Sequence, residues 1–276
     1  REFEQMEIEF FVNPNDTIDG RPADEVWHDR WIEERFAWYQ RYGLRSENLR
    51  LREHEKSELA HYAKRTADIE YKFPMGWSEL EGIANRTDFD LKQHAQWSGK
   101  SLTFFDEERK THVVPYVIEP SAGADRSMLA FLVDAYREEE VRGEKRALLR
   151  LHRDLAPIKI AVLPLLKKRS EIVATAHELR GALARHWVSV YDDTAAIGRL
   201  YRRQDEVGTP YCVTVDVQTV GDVEKGEAGD RRVTIRERDS MDQIRVPIGE
   251  LVPVFRELFD GAPWSGVAAR YPAVKG

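Results

Sequence analysis

The stretch PYVIEPSAGADRSMLAFLVDAY, residues 115–136, decides the fold of the first part of the chain. The segment VVPYVIEP, which begins at Val113, has the apolar and β-branched character of a short buried strand. From Arg126 onward, apolar residues recur at helical spacing, so the stretch predicts a strand that leads into a helix. The residues between, 121–124, are small enough to let a ligand approach the backbone, and Asp125 is placed as the helix N-cap.

Arg126, in the first turn of that helix, points to an anionic ligand. A cation is unfavourable at the positive end of a helix dipole, where an acidic or neutral residue would suit the helix better. The alternative is a surface arginine paired with Glu119 or Asp125, because structural ion pairs also break local rules. The residues of this stretch leave both interpretations open.

Length and composition describe a globular protein with room for two domains. The chain has 276 residues, of which 42% are hydrophobic and 33% charged, and no apolar run approaches the length of a membrane span. The single cysteine, Cys212, excludes an internal disulfide and a cysteine-based zinc site, which fits a reducing cytoplasm. The net charge of −7 argues against indiscriminate nucleic-acid binding but leaves room for a local basic surface.

The first residues predict a strand with one acidic face. Alternation places Phe3, Gln5, Glu7 and Glu9 on the same side. A carboxylate in a confined site forms charge-assisted hydrogen bonds to an ammonium, so Gln5 and Glu7 could hold a small cationic group. A solvated strand edge is the alternative.

A second polar stretch, residues 76–88, carries two acids and an arginine. On an extended chain Glu79 and Glu81 point to one face, and Arg86 follows after Gly82 frees the backbone. Mg²⁺ prefers a few hard oxygen ligands together with substrate phosphates, so this pattern suits a nucleoside triphosphate with magnesium. An exposed charged strand is an equal alternative.

Hydrophobic periodicity predicts the other elements of the first part. They are a helix over 23–42 whose aromatic stripe is interpreted as core, a short helix over 46–51, a strand over 67–73 and a polar excursion over 89–114.

The second part alternates strands with helices, which predicts a mostly parallel or mixed α/β sheet. A charged connector over 138–153 precedes it, and the domain boundary is placed near Leu155. The predicted elements are strands over 157–164, 188–191, 210–217 and 232–238, and helices over 170–187, 195–206 and 248–259. The tail, 261–276, is expected to be a flexible extension.

Arginines cluster at two places in this second part. Arg199, Arg202 and Arg203 lie within one short helix, and Arg236 and Arg238 share a strand face beside Asp239. Arginine can pair with phosphates or with unstacked base edges. Charged residues that serve solubility are the alternative.

Several of these segments resemble one enzyme family. The strand, small-residue turn and arginine-led helix resemble motif 3 of the class II aminoacyl-tRNA synthetases, and EPSAGADRSMLAFL resembles the dimeric glycyl-tRNA synthetases in particular. REFEQMEIEFFV resembles the second strand of motif 2, and HYAKRTADIEYKFP and ELEGIANRTDFDL resemble the segments between the motifs. IGRLYRRQDEVGTPYCVTVD and VTIRERDSMDQIR resemble the class IIa anticodon-binding domain, so the likeness covers nearly all of residues 1–260.

The resemblance implies a fold and a set of roles. It implies an incomplete antiparallel-sheet catalytic domain with its connector over 1–154, and a mixed-sheet α/β anticodon-binding domain over 155–260. Glycine would be bound by Glu7, Glu119 and Ser121. ATP and Mg²⁺ would be bound by Arg86, Glu79, Glu81 and the catalytic Arg126, with the acids on the metal. The tRNA contacts would be Arg236, Arg238, Asp239 and Arg202.

The implied activity is ATP-dependent formation of glycyl-adenylate and transfer of glycine to tRNA(Gly) by a cytoplasmic homodimer. Motif 1 and the first strand of motif 2 have no counterpart here, so the chain is expected to be a fragment that is inactive alone. The alternative is a noncatalytic, synthetase-like protein that binds nucleic acid. The joint presence of an amino-acid pocket and the arginines favours the enzyme.

Overall fold

A computed structural model of the chain describes residues 4–222 and 226–274. The chain divides into two compact units, Arg1–Asp134 and Ala135–Gly276. This division lies before the predicted boundary near Leu155, because the charged connector forms a β-hairpin whose second strand contacts a helix of the second unit. Within the described residues, no helix is both long enough and apolar enough to cross a membrane.

The first unit consists of ten strands, three α-helices and a short 3-10 helix over Ser46–Asn48 in its described part. The strands are β1 (Gln5–Glu7), β2 (Phe10–Val12), β3 (Thr17–Ile18), β4 (Arg21–Pro22), β5 (Leu49–Glu53), β6 (Arg65–Phe73), β7 (Gly76–Thr87), β8 (Phe104–Asp106), β9 (Thr111–Val113) and β10 (Tyr116–Gly123). The helices are α1 (Ala23–Arg41), α2 (Phe89–Ser98) and α3 (Ala124–Ala135).

A six-stranded antiparallel sheet is the centre of this unit. Its order is β1-β10-β7-β6-β5, and β2 also pairs with β10. Apolar residues on one face, including Ile69, Ile83 and Ile118, form a core with Ile32 and Tyr39 of α1. The aromatic stripe of α1 therefore belongs to the core, as its spacing predicts, and the opposite face of the sheet is left for polar side chains.

Three local expectations for this unit were wrong. Residues 49–53 form a strand rather than part of a helix, because Leu49 and Leu51 alternate with arginines and pair with β6. The polar excursion is ordered into α2 and the β8–β9 hairpin. Helix α3 begins at Ala124, so Asp125 lies inside its first turn instead of capping it.

The second unit carries the remaining elements. The strands are β11 (Tyr136–Val141), β12 (Glu144–Leu149), β13 (Ile160–Pro164), β14 (Ser189–Tyr191), β15 (Tyr211–Val215), β16 (Gly221–Asp222), β17 (Glu227–Ala228), β18 (Arg232–Glu237) and β19 (Gln243–Pro247). The helices are α4 (Ser170–Leu183), α5 (Ile197–Val207), α6 (Val217–Val220), α7 (Leu251–Phe259) and α8 (Trp264–Ala268).

The sheet of this unit is mixed, as predicted. Its order is β14-β13-β15-β18-β19, with parallel pairing among the first three strands and antiparallel pairing among the last three. An antiparallel sheet in one unit and a mixed sheet with helices in the other confirm the predicted fold class.

The C-terminal residues up to Val274 are part of this unit rather than a flexible extension. Val267 is fully buried in the core, and Trp264 and Tyr271 pack against the same core. Arg245 and Val274 form backbone hydrogen bonds with Pro272 and Gln243, respectively. The expectation was wrong because apolar residues spaced along this short segment find a hydrophobic surface to cover.

Candidate functional site

The antiparallel register brings the predicted glycine-binding residues together. Glu7 of β1 lies directly opposite Ser121 of β10, and the Ser121 hydroxyl donates to Glu7 Oε1 at 3.4 Å. Glu119 lies two residues before Ser121 and therefore projects from the same face of the sheet. These three side chains form one polar surface.

Small residues on the neighbouring strand leave room above that surface. In β7, Gly82 pairs with Ser121 and Ala84 pairs with Glu119. Residues directly opposite one another in an antiparallel pair project to the same side, so a glycine and a methyl group lie next to the acids. The site is therefore open to a small ligand.

Arg86 is aimed at this surface by a β-bulge. The pairing of β7 with β10 shifts between Asn85 and Thr87, which leaves Arg86 as the extra residue. Its Nη1 donates to Glu119 at 3.1 Å, and its Nε and Nη2 donate to Asp90 of α2 at 2.5 and 3.0 Å. The ring of Tyr62 lies 4.2 Å from its guanidinium carbon. Arg86 is thus held by Asp90 and Tyr62 and in turn fixes the position of Glu119 in the site.

Glu119 has an unusual protonation equilibrium. Burial raises its pKa to about 7, the charge of Arg86 opposes this rise, and Glu9 and Glu7 add to it. Carboxylates that share a site cannot all ionise easily, because like charges disfavour one another. Near neutral pH this group is therefore divided between its acid and carboxylate forms.

Arg126 lies at the start of α3, immediately after the strand that carries Glu119 and Ser121. Its Nη1 donates to the carbonyl oxygen of Glu79 at 2.8 Å. Arg126 and Glu79 are thereby adjacent, although 47 positions separate them in sequence.

The prediction that Glu79 and Glu81 share a face was wrong. The pairing of β6 with β7 skips Leu80, so Glu79 lies opposite Glu70 while Glu81 lies opposite Ile69. This bulge turns Glu81 into the core, where Arg35 of α1 donates to its two oxygens at 2.6 and 2.9 Å. Glu81 therefore cannot join Glu79 in a magnesium site on the open face.

Glu70 and Asp68 are the carboxylates that share the face of Glu79; Glu70 accepts a hydrogen bond from Arg50 Nε at 2.5 Å, and Asp68 lies 2.7 Å from His54 Nε2. A Cβ built on Gly82 would lie 3.5 Å from Glu79 Oε1 and 3.7 Å from Asp68 Oδ1, so both acids flank this glycine on the open face. Among residues 4–222 and 226–274, no group of three or more His, Cys, Asp or Glu side chains is arranged to hold a metal ion. A metal here would depend on other ligands, such as phosphates.

Sequence reasoning missed other contributors to this surface. Asp90 and Tyr62 were not proposed, and Glu9 was recognised only as a member of the acidic strand face. The alternation of Gln5, Glu7 and Glu9 was the available signal for Glu9. For Asp90, the signal was its spacing of four residues from Arg86 at the start of a helix.

Two of the predicted tRNA-binding arginines are buried inside the second unit. Arg236 donates to both oxygens of Asp205 at 2.8 and 3.0 Å. Arg238 donates to the carbonyl oxygen of Gly208 at 2.8 Å and forms two hydrogen bonds with Asp239. Asp205 also pairs with the fully buried Arg146. Asp205 and Gly208 are distant in sequence from the arginines they contact, so the spacing of Arg236 and Arg238 along one strand gave no sign of this internal network.

Arg202 has a different environment. It lines a cleft of about 740 Å³ together with Tyr201, Arg142 and one side of Arg236. Its Nη1 is buried and has no hydrogen-bond partner among the described residues, and its Nη2 lies 3.8 Å from Glu144. A planar aromatic ring can stack with a base, and the arginines beside it can pair with a phosphate.

Comparisons with known proteins find similar sequences for both units. Residues 159–258 match a family described as "Anticodon binding domain". Three curated relatives carry the name glycine–tRNA ligase. The protein of Corynebacterium efficiens is 51% identical over 259 residues, which is 91% of this chain and 53% of the relative. The protein of Thermobifida fusca is 49% identical over 269 residues, which is 95% of this chain and 55% of the relative. The protein of Caldanaerobacter subterraneus subsp. tengcongensis is 50% identical over 251 residues, which is 91% of this chain and 50% of the relative.

This chain is a homologue of glycine–tRNA ligases. The resemblance inferred from the motifs is confirmed, and the second unit contains an anticodon-binding domain. The chain spans about half the length of the curated relatives it matches.

Proposed function

We propose that the protein containing this chain is a ligase that activates glycine with ATP and transfers it to tRNA(Gly). The observation that carries the proposal is the convergence of Glu7, Glu119 and Ser121 on one open sheet face. It occurs in a chain that is 51% identical to a named glycine–tRNA ligase over 91% of its length. Neither the site nor the relatives favour a noncatalytic accessory protein.

The glycine site would hold its ligand by charge. The ammonium of glycine would receive charge-assisted hydrogen bonds from Glu7 and Glu119. Gly82 and Ala84 leave the strand beside these acids free of bulky side chains, so the ammonium can reach both carboxylates. Glycine offers no side chain to recognise, so selection must exclude larger ligands rather than bind extra groups.

Adenylate formation would rely on positioning and electrostatics. The carboxylate of glycine is ionised at neutral pH, so its attack on the α-phosphorus of ATP needs no general base. Arg126 would stabilise charge that develops on the phosphates as pyrophosphate leaves. Glu79 and Asp68 are the carboxylates that would hold Mg²⁺, which binds through one or two carboxylates together with phosphates. Bound Mg²⁺ would neutralise phosphate charge.

The second unit would bind the anticodon of tRNA(Gly). This contact would lie at the cleft of Tyr201 and Arg202 rather than at Arg238, because the cleft is open and Arg238 is buried. Asp239 remains a candidate, since its side chain is 42% exposed beside Arg238. A homodimer and a cytoplasmic location stay predictions, which sedimentation equilibrium and cell fractionation of the complete gene product would test.

Glycine-dependent exchange of pyrophosphate into ATP tests the proposal most directly. The complete gene product should catalyse it, and Arg126→Ala should lower kcat/KM by at least about a hundredfold, because a charge-stabilising donor is lost. Arg41→Ala is the matched control, since Arg41 is an exposed arginine at the end of α1. Absence of glycine-dependent exchange in the unaltered protein would refute the function. Full activity of Arg126→Ala would refute only the role of that residue.

A further inference from the structure

The strand segments β1 and β2 pair with β10 in a single register. Glu7 lies opposite Ser121 at the end of β1, and Phe10 lies opposite Ile118 at the start of β2. Between them, the backbone N–H of Ile8 donates to the carbonyl oxygen of Pro120 at 3.0 Å. The register therefore continues without a bulge through the gap between the two strands.

This continuity places Glu9 directly opposite Glu119. The pair Glu7–Ser121 lies on one side of this position in the ladder with β10, and the pair Phe10–Ile118 lies on the other side. In an antiparallel ladder such partners have Cβ atoms about 4.5–5.5 Å apart and project to the same face. Two carboxylates thus face each other across the strands, with Glu7 next to them on the same face.

One arginine does not balance these charges. Arg86 donates to Glu119 at 3.1 Å, but it forms two hydrogen bonds with Asp90 at the same time. Glu7 and Glu9 add two further carboxylates. Like charges placed directly opposite each other are destabilising, so the cluster would be relieved by a proton or by a bound cation.

We propose that Glu9 and Glu119 share one proton when the site is empty, and that the ammonium group of glycine displaces that proton on binding. The inference rests on the proposed function, because it takes glycine as the ligand. The O–H bond of the shared carboxyl group breaks, its proton passes to the buffer, and the ammonium keeps its own charge and takes the place of the proton. Glu9 is then a positioning and selectivity residue that acts through Glu119.

The protonation equilibrium of Glu119 supports this assignment. Burial raises the pKa of Glu119 to about 7, with added contributions from Glu9 and Glu7 and an opposing one from Arg86. The charged groups around it are Glu7 and Glu9 from the β1–β2 segment and Arg86 from β7, whose charge is shared with Asp90 of α2. The ring of Tyr62 covers the guanidinium. An ammonium ligand favours the ionised carboxylate, so glycine should bind more weakly as the pH falls below about 7.

The test is the pH dependence of kcat/KM for glycine in pyrophosphate exchange by the complete gene product at saturating ATP and magnesium. This quantity reports groups of the enzyme before glycine binds. For one proton and a pKa near 7, it should fall about tenfold between pH 8 and pH 6. Calorimetric titration with glycine at pH 7, in two buffers of different ionisation heat, should show release of about half a proton.

Two variants separate this mechanism from a general effect of charge. In Glu9→Gln the fall should begin at a pH lower by about one unit or more, because Glu119 loses the acid opposite it. Glu4→Gln is the matched control: Glu4 belongs to the same segment, alternates to the other face, and should leave the profile unchanged. Glu9→Asp should keep the profile of the unaltered protein.

The outcomes distinguish the two proposals. A Glu9→Gln profile that coincides with the unaltered and Glu4→Gln profiles, or glycine binding without proton release at pH 7, would overturn this inference and leave the ligase function standing. Failure of the unaltered protein to bind glycine at any pH would refute the function itself, and this inference with it.

Discussion

Two clusters of arginines and carboxylates in this chain consist of the same residue types but have different roles. In the first unit, the sheet-face cluster comprises Glu7, Glu9, Glu119, Asp90 and Arg86. In the second unit, the domain cluster comprises Arg146, Arg236, Arg238, Asp205 and Glu139, with Asp239 at its edge. The first has more acids than arginines and lies on an open surface, whereas in the second each arginine has a carboxylate or carbonyl partner and the central side chains are buried.

The two clusters differ in how fully their charged groups are paired and in how deeply their side chains are buried. The side chains of Arg86 and Glu119 are 18% and 16% exposed, whereas those of Arg236 and Asp205 are 6% and 1% exposed. In the domain cluster, each arginine has a carboxylate or carbonyl partner, so the charges are already satisfied. An arginine beside an acid therefore marks a ligand site only where excess charge remains and solvent can enter.

Replacement of Asp205 should have the largest effect. Asp205→Asn removes the charge that Arg146 and Arg236 share, and loss of one partner in a buried ion pair destabilises by about 3–5 kcal/mol. Cys212 is buried in the same unit, so its reaction with a thiol reagent reports opening of that unit. Labelling at Cys212, followed by peptide mass spectrometry, should accelerate by more than about a hundredfold.

The exposed neighbour Glu206 provides the matched control for this experiment. Glu206→Gln makes the same chemical change one residue further along α5 and should leave the labelling rate nearly unaltered. If both variants behaved alike, the domain cluster would not hold the unit together, and the distinction between the clusters would fail.

An intermediate effect is expected at the two acids on either side of the bulge in β7. Glu81→Gln weakens a buried, charged hydrogen-bond pair with Arg35 and should reduce the free energy of unfolding by about 2 kcal/mol. Glu79→Gln should leave stability nearly unchanged and raise KM for ATP, because Glu79 lies on the open face. Urea denaturation and steady-state kinetics on both variants give the comparison. The opposite pattern would mean that Glu81 is the acid that faces the nucleotide.

Local sequence patterns predicted most helices and strands but not which side chains of different elements contact each other. The spacing of Trp27, Ile32 and Tyr39 predicted α1 and its buried face. An apolar strand that leads into a helix was also predicted correctly, but the small residues 121–123 belong to β10 itself rather than to a turn, and α3 follows directly. Alternation failed at Leu80, because a bulge inserts one residue without a clear signature in sequence. It also failed to reveal the pairing of Arg236 with Asp205, since such contacts depend on which strand and helix become neighbours. The opposition of Glu9 and Glu119 likewise follows from strand register alone.

The smallest expected effect has the opposite sign from that of Asp205. Removal of a carboxylate from the sheet-face cluster relieves repulsion, so Glu9→Gln should stabilise the first unit by about 1.4 kcal/mol at pH 8, which corresponds to a fall of about one unit in the pKa of Glu119. The pKa of Glu119 rises from its ordinary 4.5 to about 7 through burial and neighbouring acids, so the folded state binds more protons than the unfolded state between these values. Stability contributed by this group therefore falls as the pH rises through that window. The gain from Glu9→Gln should shrink towards zero at pH 5, where Glu119 is protonated. Thermal denaturation at both pH values measures the gain, with Glu4→Gln beside it. A gain that is the same at pH 5 and pH 8 would mean that Glu9 does not sense the charge of Glu119.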